Sequence, residues 1–290
     1  MTSPPEPAPI FSLARHAAQR DRMMTAAAGA DFLQDIIRDA MLDQLSMVTR
    51  QFSRALIVGA HDRALVDHIT QLLAPSGGSV DVLESGPAMA RRYAADQGDA
   101  ETLDRPLASY DLIIWHGGLD AVQDVPAALL RMRALLAPDG LLMGAFLGDG
   151  SLPKLRRATM ADGVRPVARM HPQIDLSSMG NLLQRIGFAM PVVDVDALNV
   201  RYGDMLALVR DLRANGLSSR LTPTPSLPTR TEVAHMAAAF ADQADPDGRV
   251  SETFRIIYFS GWAPDPSQPK PAKRGSATAS LADALKAPKP

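Results

Sequence analysis

Tyr110-Asp111-Leu112-Ile113-Ile114-Trp115 runs into His116-Gly117-Gly118-Leu119, and further on Leu135-Leu136-Ala137-Pro138-Asp139-Gly140-Leu141-Leu142 returns the chain to a second apolar run. The first run reads as a strand ending in a glycine turn. The second reads as a helix closed by a Pro-Asp-Gly turn into the next strand, with Pro presetting one dihedral and Gly supplying the permissive one. The pair of runs decides the fold, because the same alternation extends upstream. Strands are expected at 54–58, 80–84, 112–115 and 141–146, with helices at 64–73, 87–95 and 125–136 between them. Strand and helix in turn imply a doubly wound, mostly parallel α/β sheet with helices on both faces. Residues 91–97 lack the apolar run of a third strand, so that edge is expected to be short or missing.

Working outward, Phe32, Ile36, Ile37, Ala40, Met41, Leu45 and Val48 recur at helical spacing and predict an N-terminal helix before the first strand. Downstream, a helix is expected at 182–186 and strands at 191–198 and 255–262, which brings the sheet to seven strands. Between the last two strands lie two helical patterns. Met205, Leu206, Val209 and Leu212 mark one, closed by Gly216 as a left-handed cap; Val233, Met236, Ala237 and Phe240 mark the other. Sheet strands bracket this insertion, about 203–248, so it reads as a helical cap rather than a separate domain. A flexible arm (1–10) precedes the folded body (11–263). A flexible basic tail (264–290), rich in Pro, Lys, Ser and Ala, follows it.

Composition narrows the function classes. The 290 residues are 46% apolar, enough for a sizeable core. A net charge of −2 from 30 basic and 32 acidic residues offers no broad cationic face for nucleic acid. Without cysteine there is no disulfide, thiolate metal site or cysteine nucleophile, which suits a reducing compartment. No apolar run approaches membrane-spanning length. The opening 1–9 is Pro-rich and carries Glu6, unlike a secretory signal or an Arg-rich presequence, so the expected location is cytoplasmic. The six histidines are scattered without paired acids, so no metal site is expected. No phosphate loop, serine elbow or acid/base pair stands out, and the catalytic residues are left unassigned.

Ligands of an open α/β sheet sit at the carboxyl ends of its strands. Four signals fall there: Ile57-Val58-Gly59-Ala60-His61-Asp62-Arg63; Glu84 closing Val80-Asp81-Val82-Leu83-Glu84; Gly98-Asp99-Ala100-Glu101; and His116-Gly117. In this order they resemble the class I S-adenosylmethionine-dependent methyltransferases, whose sheet is Rossmann-like. The resemblance implies S-adenosylmethionine as cofactor, with Gly59, Ala60 and His61 at its methionine end. Glu84 would accept from the ribose hydroxyls, Asp99 and Ala100 would meet the adenine, and His116 and Gly117 would line the crevice. The first glycine motif departs from the pattern. Only Gly59 survives; Ile57 replaces the acid, and His61 and Arg63 replace the later glycines, so donor binding is either weakened or lost. Either the loop takes another path, with His61 or Arg63 meeting the donor's carboxylate, or the donor no longer binds. Taken by itself, His61 reads as an exposed loop histidine. Glu84 also reads as an ordinary acid ahead of a helix, and His116 as a satisfied turn histidine.

Beyond the sheet, Ser151-Leu152-Pro153-Lys154-Leu155-Arg156, Gly180-Asn181-Leu182-Leu183-Gln184-Arg185-Ile186-Gly187-Phe188, Ile257-Tyr258-Phe259-Ser260-Gly261-Trp262 and the tail string Pro271-Ala272-Lys273-Arg274-Gly275-Ser276-Ala277-Thr278 resemble one branch. It is the methyltransferase-fold assembly factors of respiratory complex I, the arginine-hydroxylase type and its bacterial relatives. That resemblance implies a complex I subunit or assembly intermediate as partner, modification of a subunit arginine, Lys273 and Arg274 as partner-binding residues, and a peripheral place at the inner membrane. Two alternatives stay open: a non-catalytic assembly module that has lost the donor, and a carboxyl methyltransferase acting on a small molecule or acyl carrier.

Overall fold

The computed structural model describes residues 8–26 and 29–269. In chain order the elements are α1 (Leu13–Met23), α2 (Phe32–Ser46), β1 (Arg54–Val58), α3 (Arg63–Leu73), β2 (Ser79–Glu84), α4 (Pro87–Tyr93), β3 (Asp96–Gln97), β4 (Tyr110–His116), α5 (Val125–Leu135), β5 (Leu136–Leu147), α6 (Pro153–Ala158), α7 (Leu176–Ile186), β6 (Ala189–Tyr202), α8 (Met205–Ala214), α9 (Arg230–Ala241) and β7 (Val250–Trp262). The strands form one seven-stranded sheet in the order β3-β2-β1-β4-β5-β7-β6. β1 to β5 pair in parallel, and β7 runs antiparallel to both β5 and β6.

The buried strands split their side chains by parity. Ala55, Ile57, Leu112, Ile114, Leu141, Met143 and Ala145 enter one core, while Leu56, Val58, Ile113, Trp115, Leu142 and Phe146 enter the other. The first core is roofed by α2, α3, α8 and α9, the second by α5 and α7. Leu65, Ile69 and Leu73 of α3 are fully buried, each worth roughly 1.5–3 kcal/mol against exposure.

α2 buries Leu33, Gln34, Ile37, Met41 and Leu45, with Phe32, Ala40 and Val48 packed against the same core, so of the expected row only Ile36 faces out. The edge strand β3 is short, as expected, at only two residues. In the Pro-Asp-Gly turn the left-handed residue is Asp139, at φ 60°, and not Gly140. Gly140 is needed for space, since a Cβ there would lie 2.8 Å from the Ala137 carbonyl oxygen. Gly216 does cap α8 in the left-handed region, at φ 67°, and Leu217 N–H donates back to the Leu212 carbonyl at 2.7 Å.

Helix α1 has no counterpart in the sequence reading. Ser12 caps it by accepting from Arg15 N–H, but its buried residues are Gln19, Arg20 and Met23. A helix that buries polar groups shows no apolar stripe, which is why periodicity passes over it. No helix among the described residues is long and apolar enough to cross a membrane.

Candidate functional site

Parallel register aligns the strand ends. Val58 pairs with Leu83 on one side and Trp115 on the other, so Gly59, Glu84 and His116 emerge side by side. Gly59 sits at φ 79°, and a Cβ would come within 3.0 Å of the His116 carbonyl oxygen. Gly117, also left-handed at φ 76°, donates its N–H to Ala145 O at 3.0 Å. Gly59, Glu84, Asp99, Ala100, His116 and Gly117 all line one crevice.

That crevice is already furnished. Arg20 of α1 grips Glu84 with both edges of its fork, Nε donating to Oε2 at 3.1 Å and Nη2 to Oε1 at 2.8 Å. Nη2 also donates to the Ala60 carbonyl at 3.0 Å. Glu84 is 1% exposed; burial pushes its carboxyl up from the ordinary value, and Arg20 works against that shift. At the other end, Asp99 accepts from Glu101 N–H at 2.9 Å and faces His16 Nδ1 at 3.8 Å. Burial pushes Asp99 up, but its contacts with His16 and Glu101 outweigh burial and hold it below the usual carboxylate range. Burial, helped by Arg220, drives His16 down to about 4, so at neutral pH it meets Asp99 as a neutral ring. With these groups in place the crevice encloses about 50 Å³.

In the first loop His61 and Arg63 both turn away from the crevice. His61 is not an exposed histidine; it is 5% exposed and turned onto the start of α2, its Nε2 3.2 Å from Asp31 and 3.7 Å from Asp35. Arg63 points to solvent and pairs with Asp67. Neither is among the residues lining the crevice, and Asp62 caps α3 by accepting from Leu65 N–H at 3.0 Å. Ala60 lies in the core, offering only its carbonyl. His61 also has the acidic company the sequence did not show: Asp35, His61 and Asp62 bring ligand atoms within 4.8 Å of one another. Arg38 bridges both Asp35 and Asp62, so a guanidinium already neutralises that cluster.

His116 stacks on His61 with centroids 5.8 Å apart. Its Nε2 lies 3.2 Å from the Gln34 carbonyl; a carbonyl only accepts, so Nε2 carries the proton. Burial, with His61 and Arg20 adding to it, lowers His116 to about 3. The ring is neutral and its Nδ1 has no hydrogen-bond partner.

Residues that sequence reasoning missed complete the wall: His16, Arg20, Gln34, Asp120, Asn215 and Arg220. They come from α1, α2, the turn after β4 and the segment after α8, outside the strand-end motifs. Arg220 donates through Nε to Gln19 at 3.0 Å and through Nη2 to Gly216 O at 2.9 Å. Burial brings it down to about 10, with Asp120 pulling back up. Asp120 faces His171 Nδ1 at 3.7 Å, and His171 Nε2 accepts from Arg220 N–H at 2.7 Å. The expected partner-binding pair, Lys273 and Arg274, lies outside the described residues.

Residues 35–191 match the methyltransferase-domain family. The mitochondrial arginine-hydroxylase NDUFAF5 of Danio rerio is 31% identical over 267 residues, 88% of this chain and 83% of that protein. The malonyl-[acyl-carrier protein] O-methyltransferase of Xylella fastidiosa is 32% identical over 186 residues, 63% of this chain and 62% of that protein. Among solved structures, the YcgJ protein of Bacillus subtilis superposes with a TM-score of 0.51 at 15% identity, covering 79% of this chain and 98% of that one, a likeness of fold alone.

Proposed function

We propose, for a chain that belongs to the methyltransferase-domain family and within it to the family of the arginine-hydroxylase NDUFAF5, that its task is the assembly of respiratory complex I, exercised on an arginine of one subunit. The observation that carries this reading is the reach of the likeness, 31% identity through 88% of the chain. It takes in the helical cap and last strand as well as the methyltransferase half.

The cofactor this fold implies is S-adenosylmethionine, which supplies an activated group on a sulfonium. The sheet-borne residues suit it. Gly59 and Gly117 put no Cβ into the crevice, and Asp99 would meet the adenine. The helix-borne residues do not suit it. Both oxygens of Glu84 are engaged by Arg20, and the 50 Å³ that remain fall far below the roughly 300–1,000 Å³ of a small-molecule site. The donor does not fit the crevice in this state. For the donor to enter, Arg20 must first leave Glu84, and α1 carries Arg20.

The same ion pair favours a second reading, in which the protein works as a donor-free assembly module. One experiment separates them. In a strain lacking the gene, complex I resolved on native gels should be depleted and restored by the wild-type gene. Unchanged assembly on deletion removes the complex I reading. Full rescue by Glu84→Ala would install the donor-free module, whereas failure of a folded Glu84→Ala protein to rescue supports a donor-dependent one.

A further inference from the structure

Beside the crevice, beneath the cap, lies a second and larger cavity of about 440 Å³, within the range of roughly 300–1,000 Å³ typical of small-molecule sites. Its walls are mainly apolar: Leu147, Leu152, Leu155, Met205, Val209 and Met236 come from β5, α6, α8, α9 and the loop before α6. The mouth is apolar as well, since the lining residues Leu206 and Leu227 are 53% and 84% exposed. Leucines so exposed at the rim of an apolar hollow mark a surface that an apolar ligand would cover.

The charge in this cavity is one-sided. Arg15, Arg169, Arg213 and Arg220 line it, and the carboxylate among its lining residues is Asp120. Two of the arginines, buried Arg220 and half-buried Arg169, have buried N–H groups without hydrogen-bond partners. Arg169 spends Nη1 on the Ser226 carbonyl at 3.0 Å, while its Nε and Nη2 have no hydrogen-bond partner. Glu232 stands 3.8 Å from Nη2, beyond hydrogen-bond reach. Its carboxylate is already occupied by the Arg165 guanidinium and the N–H groups of Arg165 and Thr229. Arg220, in the wall common to both cavities, leaves Nη1 unpartnered on the side of Gly118 and His16, which line the first crevice. Buried guanidinium N–H groups without acceptors are costly. The Nε and Nη2 edge is also the edge that grips a carboxylate or phosphate with two parallel bonds.

We propose that this cavity binds an amphiphile with one anionic oxygen head and an apolar chain, the head drawn to the arginine side of the cavity, at Arg169 under the added field of Arg15, Arg213 and Arg220, the chain lying along α8 and α9. The site is distinct from the donor crevice and does not depend on the donor. Four arginines against one carboxylate also make it a poor place for a guanidinium, so a substrate arginine would approach by another route.

The test uses the full chain and three probes of equal chain length: decanoate, decyl phosphate and decanol, titrated by calorimetry. Saturable binding of either anion, with decanol about tenfold or more weaker, is expected, because losing a hydrogen bond to a charged group costs roughly 1.5–3 kcal/mol. Which anion binds more tightly identifies the head as carboxylate or phosphate. Arg169→Gln should weaken the anions by about tenfold and leave decanol unchanged. Val209→Trp, which fills the cavity from α8, should abolish binding of all three. Thermal melts show that each variant is folded, and if one is not, the comparison of probes on the wild type still decides. Decanol binding as tightly as the anions, or no saturable binding of any probe, would overturn the proposal.

Discussion

The two cavities share Asp120, Leu147, Leu217 and Arg220 as a common wall, and they are finished in opposite ways. At the strand ends the crevice is small and its acids are taken. Glu84 has Arg20, Asp99 has His16, and about 50 Å³ is left. The cavity beneath the cap is open at about 440 Å³ and holds guanidinium groups with donors unspent. A sheet can keep its ligand-facing residues while the helices packed over it decide whether a ligand enters. Here α1 closes one hollow, and the cap keeps the other one open.

The most forceful way to break this comparison is to remove the plug. Arg20→Met leaves Glu84 buried without its partner, and stability should fall by about 3–5 kcal/mol in urea denaturation. Arg20→Met with Glu84→Gln should recover most of that loss, since neither charge remains. The sign with pH is fixed: burial already raises the carboxyl's pKa, and without Arg20 it rises further, so the single variant's deficit shrinks as pH falls and Glu84 takes up a proton. The same variant sharpens the donor question. Freed of Arg20, the crevice should bind S-adenosylhomocysteine about tenfold or more tightly than the wild type does, by calorimetry, the equivalent of one charge-assisted contact no longer displaced. Equal or weaker binding would mean that Arg20 is a structural brace and does not compete with the donor.

What the sequence disclosed follows the same division. Strand ends and glycine turns are local events, so Gly59, Glu84, Asp99, Ala100 and Gly117 could be placed on one crevice from their order alone. Arg20 could not. It lies 64 residues from Glu84 along the chain, on a helix whose buried face is polar, and nothing in its neighbourhood marks it as buried. His61 was misread for a related reason. Its burial depends on Asp31 and Asp35 of a different element, which a loop histidine read alone does not reveal. Arg220 follows the cap helix α8, and only the packing of α1 against that segment, through Gln19, brings it to the wall.

A smaller effect concerns acid. Burial lowers His16 to about 4 and His116 to about 3, against 6.5 for a free histidine. Both rings are neutral in the folded chain while the unfolded chain takes up protons, so stability is full above pH 6.5 and drains as pH falls from there toward the folded values. Each group contributes a slope on the order of 1 kcal/mol per pH unit within that window. His116→Gln should flatten the decline in melting temperature between pH 6.5 and pH 4 while changing little at pH 8. An unaltered slope would mean that His116 is already protonated when folded, and would reopen the crevice's charge assignment.

The smallest expected effect on stability concerns the tail, and it separates folding from partnership. The body does not stop at β7. Asp139 N–H donates to Ala263 O at 3.1 Å, and Gln268 donates to Asp139 and Ala263 at 2.9 and 2.8 Å, so the chain as far as Gln268 is tied back to the Pro-Asp-Gly turn. A truncation meant to test Lys273 and Arg274 must therefore end after Pro269; one ending at 264 would also cut this tie. Residues 270–290 carry four lysines and one arginine among Pro, Ser and Ala, too few apolar groups to add to either core. Their removal should leave the melting temperature unchanged within the roughly 0.5 kcal/mol typical of surface changes. Co-purification with complex I subunits should fall, and it should fall equally for Lys273→Ala with Arg274→Ala in the full chain, since arginine can grip a subunit carboxylate through two bonds. A large drop in melting temperature with co-purification intact would place the tail with the fold, and the partner surface would then have to be sought on the cap.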